Sequence, residues 1–168
     1  MKPELARRRL ILAAVLLLAA GAAAAHPQSH ASSPAAGAAP APAEAAKVVD
    51  AFHAALARGD TAAASRELAE AVIIYEAGGV ERSRAEYAGS HLPGDAEFAK
   101  EVGRELVRRT GGASGDLAWV ASEGRTRGRF KGRDIDRITT ETMILRRTGG
   151  AWRIVHVHWS SRGATAAH

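Results

Sequence analysis

From Glu44 onward the spacing of apolar positions changes twice. Ala45, Val48, Val49, Phe52 and Leu56 recur at three and four residues, which is the stripe of an amphipathic helix. Gly59 suits the position just past its end, and Asp60 is placed to cap a second helix over about 61–69. The run AVIIYE, Ala71 to Glu76, is short and β-branched and predicts a buried strand. Gly78-Gly79 turns the chain, and Ser83-Arg84-Ala85-Glu86 has capping-box spacing, opening a short helix around Tyr87. HLPGD, His91 to Asp95, interrupts that helix before DAEFAKEV resumes one. Beyond Gly103 the pattern predicts strands over 104–109, 117–129, 134–147 and 152–160, separated by the turn sequences TGGASGD, FKGR and TGGA. Helices followed by an antiparallel meander predict an α+β fold, with the helices on one face of a bent sheet.

The last hairpin fixes an expected register. With the turn centred on Gly149-Gly150, Arg147 faces Trp152, Leu145 faces Ile154, Met143 faces His156 and Glu141 faces His158. One face then carries Trp152, Ile154, His156, His158, Met143 and Glu141, and the other carries Ile144, Val155, Val157 and Trp159. A sheet with one face in water does not alternate this way. One face packs on the helices, and the second predicts a homodimer through the outer face.

The first 43 residues follow another logic. Lys2 and Arg7 to Arg9 precede the apolar run Leu10 to Ala20, and Ala23 to Ala25 supplies small residues for cleavage, so residues 1–25 predict a signal peptide. Export to the periplasm or beyond, with no membrane attachment after cleavage, is the expectation. Residues 26–43 are mostly Ala, Pro, Ser and Gly without a periodic apolar face and predict a disordered tether, in which His26 and His30 are either loosely held or bind a metal near the new N-terminus. The domain is expected over 44–162, with a flexible tail over 163–168. Cleavage removes four basic side chains and one acidic one, taking the net charge from +5 to +2, which gives no case for nucleic acid. With no cysteine there is neither disulfide nor thiolate chemistry.

The candidate chemistry centres on His156 and His158, two apart on one strand face, with Glu141 across the hairpin to orient an imidazole. Tyr75 and Glu76 end the first strand, where a pocket mouth can lie. Tyr87 and His91, four apart, share a helix face and can line the same pocket. Arg125 and Arg127 share a strand face and either form a solvated charged strand end or hold a carboxylate. A metal would need further donors from His91 or Asp95, and H-x-H alone is a weak zinc signal, so no metal and no cofactor are expected. Phosphate loop, nucleophile elbow and Asp-rich metal loop are all missing from the sequence.

The order of helix, RGD turn, short helix, AVIIYE strand and meander ending in GGAWRIVHVHWSS resembles the nuclear transport factor 2-like superfamily, which includes SnoaL-like cyclases and ketosteroid isomerase. Trp152, Val155, His156, His158 and Ser160 are similar to the end strand of the association domain of calmodulin-dependent kinase II. The resemblance implies a cone: a strongly curved antiparallel sheet wrapped around N-terminal helices, a pocket in its concavity, and frequent dimers through its outer face. It does not transfer a reaction. The expected function is binding of a small organic ligand by His156, His158, Glu141, Tyr87, His91, Tyr75 and Trp152. The alternatives are an isomerase, dehydratase or cyclase with His158 as general base oriented by Glu141 and Tyr87 or His91 as oxyanion donor, and a structural dimerisation module.

Overall fold

A computed structural model describes residues 41–164. The expected signal peptide, most of the tether with His26 and His30, and the end of the tail lie outside the described residues.

Helix α1 (Ala43–Arg58) buries Ala45, Val49, Phe52, Ala55 and Leu56 along one stripe. It ends at Gly59, whose φ of 72° is left-handed and open to glycine at little cost. Helix α2 (Thr61–Glu67) is capped by Asp60, whose Oδ1 accepts from the Ala63 N–H at 2.9 Å. Strands β1 (Leu68–Glu76) and β2 (Gly79–Glu81) form a hairpin, of which β2 was not expected from the sequence. Helix α3 (Arg84–Gly89) starts at Ser83, whose Oγ accepts from the Glu86 N–H at 3.0 Å. Glu86 reaches back one residue further than a capping box, accepting from the Arg82 N–H at 2.7 Å. Helix α4 (Leu92–Glu101) begins inside HLPGD, since Pro93 sits in its first turn, where a missing N–H costs nothing. Strands β3 (Val102–Ser114), β4 (Leu117–Phe130), β5 (Arg133–Thr148) and β6 (Ala151–Gly163) complete the fold.

The fold class is α+β, with one curved six-stranded sheet of order β2-β1-β6-β5-β4-β3. All neighbours are antiparallel except β1 and β6, which run parallel and bring the first strand beside the last. The helices cover the concave face, and Phe52, Leu68, Ile74, Tyr87, Val120, Met143, Leu145, Ile154 and Val157 form the core between the layers. Fully burying a side chain the size of Leu or Phe contributes about 1.5–3 kcal/mol, so this interlayer seam sets the register of every strand.

At β6 the register departs from the expected one. The turn is the two-residue loop Gly149-Gly150, with φ of 60° and 81°, and Arg147 pairs with Trp152 and Leu145 with Ile154 as expected. A bulge then leaves Val155 unpaired: Ile144 pairs with His156, Met143 with Val157, Thr142 with His158 and Glu141 with Trp159. One extra residue reverses every later side chain. His156 and His158 therefore lie on the outer face, His158 exposed, while Val157 and Trp159 face inward. The core decides between the two registers, because the inward set becomes Val157 and Trp159 rather than two imidazoles.

Candidate functional site

Register aligns one transverse row across the concave face. Arg109 on β3 pairs with Ser122 on β4, Ser122 with Glu141 on β5, Glu141 with Trp159 on β6, and Trp159 with Glu76 on β1. Glu141 is only 6% exposed. Its Oε2 accepts from the Trp159 indole N–H at 2.8 Å and lies 2.6 Å from His53 Nε2, and its Oε1 accepts from Arg104 Nη2 at 3.4 Å. Burial by itself raises this carboxyl's pKa. The hydrogen bond and charge of His53, the charge of Arg104 and the Trp159 N–H outweigh it and hold the pKa at about 2. Glu141 is thus a fixed anion, and His53 Nε2 donates to it. Trp159 is itself held by stacking on Phe52, with ring centroids 6.2 Å apart.

A second polar cluster joins α3, α4 and the first hairpin. The Tyr87 hydroxyl donates to Asp95 Oδ2 at 2.6 Å. Burial, then the charge of Asp95, push the Tyr87 pKa up, so it stays a donor. Burial raises the Asp95 pKa against the opposing Tyr87 hydrogen bond and His91 charge. Burial and then the Asp95 charge raise that of Glu76. His91 Nδ1 contacts Oε1 of the buried Glu81, whose hydrogen bond and charge raise the imidazole pKa.

Between the helices and the sheet lies a cavity of about 570 Å³. Leu56, Phe98, Ala99, Val102, Phe130 and Trp159 supply apolar wall; His53, Ser122, Glu141, Arg104, Thr126, Arg137, Glu76 and Asp95 supply polar groups. That mixture suits a small organic ligand that buries an apolar body and is oriented by a few polar contacts. Among the described residues no group of three or more His, Asp or Glu side chains gathers as a metal site, and no helix is long and apolar enough to cross a membrane.

Of the residues expected to bind ligand, Glu141 alone lines this cavity. The expected His158–Glu141 pair is absent: the bulge turns His158 outward, and His53 takes its place. His156 is also on the outer face, edge-on to Tyr75, with ring centroids 5.3 Å apart. Tyr75 is carried outward because it pairs with His158 across the parallel strands. Tyr87 is fully buried behind Asp95, and His91 is an exposed residue at the start of α4. Trp152 is half-buried at the turn end, packed on the core beneath the Arg147 guanidinium. Arg125 and Arg127 do hold a carboxylate, the chain's own Asp136, with Arg125 Nε donating at 2.6 Å. His53 was legible in principle: it lies four residues after Val49 and three before Leu56, on the flank of the apolar stripe.

The sequence profile of the SnoaL-like domain matches residues 45–163. No curated protein matches. A solved structure from Shewanella frigidimarina, described as a candidate ketosteroid isomerase, is 41% identical, covering 70% of this chain and 94% of that one with a TM-score of 0.67. Two more distant structures share the fold. One, described as a candidate calcium/calmodulin dependent protein kinase II association domain from Xanthomonas campestris, is 21% identical, covers 76% of this chain and 96% of that one, and has a TM-score of 0.63. The other, a candidate dehydratase of the NTF2-like family from Streptomyces avermitilis, is 20% identical, with coverage of 71% and 95% and a TM-score of 0.62. A profile match over most of the folded chain, together with that 41% identity, makes this protein a member of the SnoaL-like domain family, with the nuclear transport factor 2-like fold.

Proposed function

We infer that the protein is an exported homodimer that binds a small organic molecule in the cavity of each protomer. The observation that carries the reading is the cavity itself, about 570 Å³, with a mostly apolar lining and charged groups at its walls. A space that size accepts one ring-containing molecule of modest mass. Glu141, His53 and Trp159 hold one another in place at its inner wall, so the polar surface is organised before a ligand arrives.

A second reading, acid–base catalysis of the isomerase or dehydratase kind, is favoured by one further observation. His53, held by a permanently ionised Glu141, and Asp95, whose burial favours its protonated form, line the same cavity. An oriented imidazole and a buried carboxylic acid are the group types that general acid–base chemistry uses. The names of the Shewanella and Streptomyces relatives agree with this class of chemistry.

The test is native mass spectrometry of full-length protein expressed with its own N-terminus and recovered from the exported fraction. The mature mass is expected to lack residues 1–25, and a small-molecule adduct is expected on the folded protein. Ala99→Trp, which fills the cavity from α4, should remove the adduct. Bare polypeptide mass from every extract, or an adduct that survives Ala99→Trp, sinks the binding reading.

A further inference from the structure

A second transverse row crosses the concave face four residues along β5 from Glu141. Arg104 on β3 pairs with Thr126 on β4, and Thr126 pairs with Arg137 on β5. All three line the cavity. The threonine is buried, at 7% exposure, and the two arginines flank it, with backbones about 10 Å apart at two strand spacings. Two guanidinium groups on either side of a buried hydroxyl form a cradle for a planar anion.

Both arginines keep donors beyond those the protein uses. Arg104 makes one contact with Glu141, at 3.4 Å, long beside the roughly 2.7–2.9 Å of a strong charge-assisted hydrogen bond. Its side chain is 29% exposed, so it is partly desolvated at the cavity wall. Arg137 donates to Ser161 through Nε at 3.0 Å and Nη2 at 3.4 Å, and pairs with no carboxylate among the described residues. The arginines on the opposite face are different: Arg125 and Arg127 are taken up by Asp136.

The rest of the cavity gives the ligand a direction. Glu76 lies on the Glu141 row, two strands from β5, which puts it roughly 15 Å from Arg137 along the sheet. Asp95 lines the same cavity, and the charges of Glu76 and Asp95 are coupled. An anion is therefore attracted at the arginine row, while the far end, where burial favours the neutral forms of Glu76 and Asp95, offers hydrogen bonds instead.

We propose that Arg104, Thr126 and Arg137 form a carboxylate-binding subsite, and that the ligand is an organic acid with an apolar body. This rests on the cavity being a ligand site. The carboxylate docks across the two guanidinium groups over the Thr126 hydroxyl, the body lies against Trp159, and the far end meets Glu76 and Asp95 as a neutral or hydrogen-donating group. A carboxylate is favoured over a phosphate because one planar, singly charged group matches the forks and leaves less charge to face Glu141.

The experiment compares 2-naphthoate with 2-naphthalenemethanol by calorimetry, with the Trp159 indole N–H resonance reporting cavity occupancy. Wild type is expected to bind the acid at least about tenfold more tightly than the alcohol, the size of effect that one charge-assisted hydrogen bond supplies. Arg137→Gln, at an exposed position, should keep the fold and lose most of that preference. Arg104→Lys, which keeps the charge and removes the fork, should lose part of it. Equal affinities for the two compounds, or a preference untouched in both variants, overturn the subsite while leaving the cavity as a binding site. Inorganic phosphate that displaces 2-naphthoate at equal concentration overturns the assignment to a carboxylate. Failure of both compounds to shift the Trp159 signal overturns the subsite and counts against the cavity reading as well.

Discussion

A carboxylate buried as deeply as Glu141 is costly unless other charges and donors surround it, and here three do. The energetic consequence follows from the depressed pKa. A carboxyl near 4.5 when unfolded and about 2 when folded contributes stability that is fully present above pH 4.5 and is lost as pH falls toward 2. That difference corresponds to about 3 kcal/mol. Glu141→Gln keeps the shape and removes the charge, leaving Arg104 without its counter-ion and His53 facing an amide. It is expected to cost about 3 kcal/mol at pH 7 and to flatten the stability profile between pH 4.5 and 2. Urea titrations of both proteins at pH 7, 4.5 and 3 test this, and an acid limb equally steep in the variant would show that another group causes it. Asp95 has the opposite character: burial favours its neutral form, as suits a group that gains and loses protons rather than one that holds a fixed charge.

At the scale of the element, β6 is where local pattern and global packing part company. Its bulge at Val155 keeps Ile154 and Val157 on one face although they are three residues apart. The bulge is also a source of bend, and bending lets the sheet curve around α1. Deleting Val155 should leave Ile154 paired with Leu145 and His156 with Ile144, so the later residues keep their faces while the strand straightens. The deletion is therefore expected to fold with Trp159 still inside, at a melting temperature several degrees lower and with the cavity distorted. An indole signal from Trp159 that becomes solvent-exposed would show that the core does not by itself set the register. This element also marks how far the sequence was legible. Helix stripes, caps, the two-glycine turn and four long strands follow from spacing and residue type, and so did the α+β class. The parallel β1–β6 pairing depends on contacts between residues some eighty apart, and no local pattern encodes it. Strand parity placed Glu141 and Trp152 on the inner face, but carried no sign of an extra residue between Ile154 and His156, so His158 was paired where Trp159 belongs. His53 escaped notice because a polar residue at the edge of an apolar stripe reads equally well as facing water.

For the whole molecule the question is what meets the outer face of the sheet. The sequence placed Val155, Val157, Trp159 and Ile144 there. Trp159 and Val157 turn inward, and the outer face carries a different apolar set, with Ile73 at 39%, Tyr75 at 46%, Leu117 at 46% and Trp119 at 43% exposure. Ile144 and His156 lie between them, since Trp119 pairs with Ile144, Ile144 with His156 and His156 with Ile73. Four large exposed side chains on one continuous surface exceed what a monomer ordinarily shows to water. A stable dimer buries about 800 Å² on each partner, an area the face of a four-strand patch supplies. The face is also separated from the cavity by the thickness of the sheet, so assembly and ligand binding are open to independent test. Trp119→Glu sets a charge in the middle of the patch and should give the molar mass of a monomer in light scattering, with ligand binding in the cavity unchanged. Trp159→Glu, which the uncorrected register would have chosen, should instead unfold the domain, because it sets a second carboxylate beside Glu141 in the core. A wild type that is monomeric at tens of micromolar would remove the dimer from the proposed function and leave the outer face in need of a different partner, with the cavity and its charged rows untouched.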